Sequence, residues 1–517
     1  MISPDSQESS FVQYQPHDER RLPVVNIILG VIGGILAPLL LTYGYATHDE
    51  TQITAIVISV ICLGIGLVRP FWGLIFFVGL LYIRPEDSIR ALQGLHLTLI
   101  ASIVTIFSVF LQKIMEKAKP LRTPLDRMLV LFAIMAVIST AAGGDIKTAL
   151  MDASRLIVLV FMVLNLVNTQ QRYRIFLTAI MIFTAYLSCY SIYLFFNGAG
   201  LARGADFQAQ GTGIFGDPND LSAVIVSGFA LSIAAALKCK GLNRGFLFLL
   251  SGFYIYSIFL TNSRGGMIAL MGVVACVLFL FMRPRWLAIP LAIIVAIGFI
   301  KFGPSRMAEL DSGEESANSR FWFWSNGVQQ LAAHPFTGVG YGQFPEVNDG
   351  MTAHNSFVLC FAELGLPGYY FWIGCIYYCF VNLSKKQTSE MNPIEKEIES
   401  NRIRGPSGQA VGAKFTSQKP GVATATLAKV MSPAEYDLLG GRLALGGFLL
   451  AAFFISRTYV PILYLLMSLP VVCQIANSNG ENLFERSSQT RFKDYLIIGG
   501  ICIVSIMVIF LISMRLR

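Results

Sequence analysis

Apolar positions in this chain run in long unbroken blocks of about 15 to 25 residues, close to the roughly 20 that carry an α-helix across a bilayer. Candidate spans fall near 23–46, 51–68, 70–83, 95–114, 127–143, 154–168, 173–196, 219–237, 244–262, 265–282, 285–301, 355–381, 439–456, 458–476 and 495–515. The two-residue alternation of an outer-membrane barrel is missing. The pattern therefore predicts an all-α fold, a polytopic membrane helical bundle of about 12–15 transmembrane helices. The 70–83 block is short enough to be re-entrant or paired with its neighbour, and Ser456-Arg457 leaves only a tight turn between two late spans.

The polar segments divide the chain further. Residues 1–21 form a tail, and the first apolar block starts near Leu22 without a small-residue cleavage site, which predicts a retained span. Residues 22–301 read as a transmembrane bundle, 302–354 as a long loop with a surface helix, 355–381 as a helix, 382–438 as a flexible insert and 439–517 as C-terminal helices. The long loop carries Glu309, Asp311, Glu314 and Glu315 ahead of the aromatic run that follows Ser319. The insert mixes lysine with glutamate around Gly405-Pro406-Ser407-Gly408. It ends in Ser432-Pro433-Ala434-Glu435, a capping-box pattern that starts a helix.

Composition agrees with the blocks. Of 517 residues, 54% are hydrophobic and 14% charged, which excludes an ordinary soluble domain and a disordered chain. Assigning loops alternately to two sides puts Lys113, Lys117, Lys119, Arg122, Arg172, Arg174, Lys238, Lys240, Arg244, Arg283, Arg285, the 382–440 segment, Arg486, Arg491 and Lys493 together. By the positive-inside rule that side, with the N-terminus, is cytoplasmic, and 197–218, 262–265 and 302–354 lie outside. Arg515 and Arg517 then fall outside in a fifteen-span count, against the rule. Nine cysteines sit singly with no C-x-x-C, which suggests small core residues and neither disulfides nor a metal site.

Candidate chemistry gathers in the outer loops. Arginine is scarce there, and Arg203, Arg264, Arg306 and Arg320 stand around the long loop. Arg264, in Thr261-Asn262-Ser263-Arg264-Gly265-Gly266, occupies a corner of almost no length. An arginine at the bilayer centre costs at least about 2.5 to 3.5 kcal/mol and less near the interface, so this one lines a cavity, meets an anion or snorkels to lipid phosphate. In Gly211-Thr212-Gly213-Ile214-Phe215-Gly216-Asp217-Pro218-Asn219-Asp220, Asp217 or Asn219 can cap a helix with Pro218 at its first position. Glycine-rich backbone before a helix is also an anion cradle.

His354 stands where the long loop enters a span, followed by Asn355 and Ser356, with Glu363 further along the same helix. A neutral imidazole there can take a proton from a hydroxyl nucleophile, and the plainer alternative is a helix cap with a solvated histidine. No Asp-x-Asp, H-E-x-x-H, G-x-S-x-G or Walker pattern is present. The expected chemistry uses no metal and no cofactor and rests on arginines and a base.

A D-P-N-D segment, an S-R-G corner, S-R-x-x-x-W followed by P-x-x-G-x-G, and H-N-S-x(6)-E-x-G-x-x-G entering a span occur in that order between Arg203 and Tyr378. Together they resemble the O-antigen ligase and polymerase superfamily. The resemblance implies a GT-C-like, inverting, metal-independent glycosyltransferase of the bacterial inner membrane, with its active site on the periplasmic face. It implies a donor glycan on undecaprenyl diphosphate and an acceptor hydroxyl on lipid A core, another glycan or a protein, in a setting of membrane lipids and without nucleic acid. By the same resemblance His354 is the base or hydroxyl-orienting group, Arg264 and Arg320 hold the diphosphate with Arg203 as an addition, and Asp217, Asn219, Asn355 and Glu363 support them. An O-antigen ligase is the first expectation, ahead of a polymerase and a protein O-oligosaccharyltransferase. The 382–440 insert departs from the family pattern. A secondary anion transporter is the alternative from another class, and it places its site near the bilayer midplane.

Overall fold

The computed structural model describes residues 50–88, 92, 94, 96–117, 119–199, 201–203, 206–282, 285–302, 315–383, 431–478 and 491–515. The 1–21 tail, the span near 23–46, Arg306 and residues 384–430 of the insert lie outside the described residues.

The helices are α1 (Glu50–Val68), α2 (Pro70–Ile83), α3 (Pro85–Ser88), α4 (Leu97–Met115), α5 (Pro124–Ser139), α6 (Ile146–Leu166), α7 (Gln170–Phe196), α8 (Pro218–Lys238), α9 (Gly241–Leu260), α10 (Arg264–Phe281), α11 (Ala288–Phe302), α12 (Glu315–Ala333), α13 (Ser356–Phe380), α14 (Pro433–Ala452), α15 (Pro461–Asn477) and α16 (Arg491–Arg515). Among the described residues, eight helices are long and apolar enough to cross a membrane: α4, α6, α7, α8, α9, α10, α13 and α16. The protein is an all-α polytopic membrane protein. One feature escaped the hydropathy pattern, an antiparallel hairpin of β1 (Leu201–Arg203) and β2 (Asp206–Gln208). Strands of three residues are too short to show a period of two.

Helices α8, α13 and α15 form the centre. Almost every α8 side chain from Leu221 to Ala236 is buried, as is every one from Ile462 to Ala476 in α15. α8 packs on α14, α9 and α10, α13 on α5, α12 and α16, and α15 on α14 and α6. On the periphery Ile114 of α4, Leu249 of α9 and Ile503 of α16 expose their side chains, which suits helices whose outer face meets hydrocarbon.

The loops sort into two ends. At one, Asp437 of α14 pairs with Lys238 and Arg174, and Leu121 N–H donates to Asn165 Oδ1 at 3.0 Å. The segments 206–217, 261–263, 334–355 and 453–460 meet at the other. Helix starts follow local chemistry, and the Ser432 capping box forms with Glu435 and Pro433. It starts α14 at Pro433, so the last residues of the 382–438 insert are helical. The 355–381 block is also not one smooth helix, because Gly365 (φ +67°) and Pro367 break α13.

Candidate active site

The site end is built from helix entries. Asp217 caps α8 by accepting from Asn219 N–H at 2.7 Å, with Pro218 at the first helical position. Ser263 caps α10 by accepting from Gly266 N–H at 3.1 Å. Asn355 caps α13, its Oδ1 accepting from Phe357 N–H at 2.9 Å and Val358 N–H at 3.2 Å. Asp217 and Ser263 each relieve one, and Asn355 two, of the orphan amides that a helix start leaves. Asn355, and not His354, is therefore the cap. The Asn355 Nδ2 is buried and has no hydrogen-bond partner among the described residues.

Two of these entries place a non-glycine residue in the left-handed region directly before the cap, Asn262 (φ +52°) and His354 (φ +48°). Such conformations are uncommon outside glycine and cluster at functional sites. They turn the chain sharply enough to seat the cap one residue later.

Side-chain bonds join the entries. Ser263 Oγ donates to Asn219 Oδ1 at 2.7 Å, so the S-R-G corner and the D-P-N-D segment are one unit. Arg264, the first residue of α10, is half-buried there. Gly265 lies against Phe454, whose Cβ is 3.2 Å from where a Gly265 Cβ would sit, so the corner rests on the 453–460 segment. The hairpin carrying Arg203 attaches to the same corner, through Gln208 Nε2 donating to the Thr261 and Asn262 carbonyls, each at 3.2 Å. Arg203 is the last residue of β1, opposite Asp206.

Helix α12 brings in Arg320. Trp324, one turn later on the same face, donates through Nε1 to the Ala353 carbonyl at 3.0 Å, and its ring meets Phe453 edge-on at 5.2 Å. The aromatic run after Ser319 thus packs against the H-N-S entry, with Phe323 and Trp324 buried and Trp322 exposed. His354, half-buried, follows Ala353 directly. The structure therefore brings Arg264, Arg320 and His354 to one region around residues 453–460. The starts of α8, α10 and α13 point their positive dipole ends into that region, which suits an anion.

Glu363 lies deeper and has a different job. Its Oε1 accepts from Phe344 N–H at 3.1 Å and its Oε2 from Tyr459 O–H at 2.8 Å. Around it the glycine turn docks edge to edge on α13, with Val339 N–H donating to Ala362 O at 2.9 Å, Gly340 N–H to Glu363 O at 3.1 Å and Leu366 N–H to Pro335 O at 2.8 Å. Gly338 (φ +64°) is required, since a Cβ there would lie 2.3 Å from the Glu363 carbonyl carbon. The Tyr341 ring packs tilted on Tyr459 with centroids 4.6 Å apart, and its hydroxyl donates to Asp152 Oδ2 at 3.0 Å. Burial and the Glu363 carboxylate hold the Tyr459 phenol well above its ordinary pKa, so it stays a donor.

Sequence reasoning missed the 453–460 segment, which touches every one of these entries, and Gly143-Gly144, against which Gly340 packs. A signal existed for the first: Arg457, like Arg264, is an arginine in a very short turn between apolar blocks. Among the described residues no group of three or more His, Cys, Asp or Glu side chains is arranged to hold a metal ion.

No curated protein and no solved structure matches the chain. Residues 246–373, from α9 to α13, match the family model Wzy_C, O-antigen ligase, a segment that contains Arg264, Arg320, His354 and Glu363. That segment is similar to the O-antigen ligase family, and the chain around it is a multi-pass membrane protein.

Proposed function

We propose that this protein transfers a glycan from undecaprenyl diphosphate to an acceptor hydroxyl at the periplasmic face of the bacterial inner membrane, and that it is an O-antigen ligase acting on lipid A core. The observation that carries this reading is the meeting of the S-R-G corner, the Arg320 helix face and the H-N-S entry around residues 453–460. A diphosphate needs cations and amide donors in one place, and this region supplies both.

In the proposed step the acceptor oxygen attacks the anomeric carbon from the face opposite the diphosphate, and the carbon–oxygen bond to the diphosphate breaks with inversion. The hydroxyl proton passes to the His354 imidazole, the general base of the step. Charge grows on the departing diphosphate, and Arg264 and Arg320 stabilise it, with Arg203 as a further diphosphate contact. Asp217, Asn219 and Asn355 hold the helix entries, and Glu363 clasps the loop. The basic loops at the opposite end then face the cytoplasm, as the positive-inside rule asks. The candidate site groups Arg264, Arg320 and His354 gather at helix entries at one end of the bundle, which favours an enzyme over a transporter with a midplane site.

A deletion strain separates the readings by its surface glycan. Complete loss of attached glycan supports a ligase, and attachment of single repeat units supports a polymerase. An unchanged lipopolysaccharide with loss of protein-linked glycan supports the protein transferase.

A further inference from the structure

Arg457 lies beyond the matched family segment and in none of the motifs that carry the resemblance, yet it joins both halves of the site. Its Nε donates to Asp220 Oδ1 at 2.6 Å, its Nη2 to Asp220 Oδ2, and its Nη1 to the Ser456 carbonyl at 3.3 Å. The planar fork thus meets a carboxylate at the start of α8 that is only 7% exposed. On the other side the Arg457 N–H donates to Ser356 Oγ at 2.8 Å. Ser356 Oγ donates in turn to Ile455 O at 2.6 Å, and Thr458 Oγ1 donates to the Ser356 carbonyl at 2.7 Å.

The path continues through Asn219, the neighbour of Asp220, to Ser263 and so to the residue before Arg264. Two residues before Ser356 stands His354. We infer that Arg457 is a positioning residue whose ion pair with Asp220 holds the Arg264 corner and the His354 entry in register, so that both address one donor molecule.

The inference rests on the glycosyl-transfer reading above. Each nitrogen of the Arg457 guanidinium already donates within the protein, so its part is to place other groups. With the Arg457 side chain partly exposed, the pair adds little net stability, but breaking the arginine side leaves the mostly buried Asp220 carboxylate unpaired. What such a pair can supply is register. A misplacement of about 1 Å between reacting groups costs about 100-fold in rate.

The test uses the full chain in lipid nanodiscs, with undecaprenyl diphosphate carrying one glycan repeat as donor and lipid A core as acceptor, and reads kcat and donor KM beside thermal unfolding. Arg457→Gln should lower kcat about 10- to 100-fold with donor KM within about twofold, and Arg457→Lys should recover part of the loss. Combining Arg457→Gln with Asp220→Asn removes both charges, so it should regain unfolding temperature while kcat stays low. A double variant that regains kcat along with stability overturns the inference, as does a folded Arg457→Gln protein with wild-type kcat. If Arg457→Gln does not fold, Asp220→Asn severs the same link and is judged by the same values. A wild-type protein inert toward this donor and acceptor removes the glycosyl-transfer reading and the inference with it, whereas an active wild type with unaffected variants removes the inference alone.

Discussion

Glu363→Ala should loosen the 334–355 loop without touching any group proposed to meet substrate. The substitution orphans two donors, Phe344 N–H at 3.1 Å and Tyr459 O–H at 2.8 Å, beside a side chain that is 1% exposed. An unsatisfied buried donor costs about 1 to 3 kcal/mol, so the pair costs about 2 to 6 kcal/mol, before any cavity left by the lost carboxylate. At about 1.4 kcal/mol per factor of ten, even the lower figure reduces local protection about 30-fold. Amide hydrogen exchange of residues 335–350 and 453–460 in nanodiscs reads this directly, because Glu363 ties both segments to α13. Glu363→Gln should behave differently. Its amide oxygen can still accept from Phe344 N–H while its NH₂ donates to the Tyr459 oxygen, so exchange and transfer should remain close to wild type. A Gln variant with wild-type exchange but no transfer would refute the clasp and give the carboxylate a chemical role.

Other outcomes follow from the same contacts. Gly340→Ala should fail to assemble the loop, since a Cβ would lie 2.1 Å from the Gly143 carbonyl oxygen at φ +111°; proteolysis within 334–355 should rise sharply. Ser263→Ala and Asn219→Ala each remove one partner of the 2.7 Å bond that joins the S-R-G corner to α8, and should raise donor KM several-fold and non-additively in a double-mutant cycle. Arg264→Lys and Arg320→Lys should lose most of the donor affinity if the diphosphate is held by the planar fork; wild-type KM in both would point to simple charge attraction. Burial first, and then the Asp152 carboxylate, raise the Tyr341 phenol above its ordinary pKa of about 10. Its contribution to stability is therefore full below about pH 10 and is lost as pH rises beyond that, so Tyr341→Phe should flatten the alkaline end of an unfolding-temperature profile.

Much of this architecture was legible because helix starts and apolar blocks are local. The 70–83 block becomes α2 with the same bounds, and the capping box at Ser432 forms as its spacing predicts. Asp217 and Pro218 take the cap and first helical position that their side chains favour. Motif order also brought Arg264, Arg320 and His354 into one group before any coordinates. The connections between motifs were not legible, because they depend on residues far apart in sequence. Arg457 and Asp220 are separated by 237 positions, and Tyr459 and Glu363 by 96. The division of labour at the H-N-S entry, with Asn355 as cap and His354 ahead of it at positive φ, also depends on backbone geometry that the tripeptide alone does not specify. The Gly338 and Gly340 turn was visible as a glycine cluster. Its partners, Gly143-Gly144 and the α13 break at Gly365, became evident only through packing.

The most direct test of the account is turnover of undecaprenyl diphosphate-linked glycan by purified wild-type and His354→Ala protein, matched for folding by thermal unfolding and supplied with lipid A core. The account predicts that the wild type extends the core and releases undecaprenyl diphosphate in equal amounts. It predicts that His354→Ala binds donor with unchanged affinity but loses transfer by about 100-fold or more, the range in which general base catalysis operates. Undiminished transfer by folded His354→Ala would contradict it.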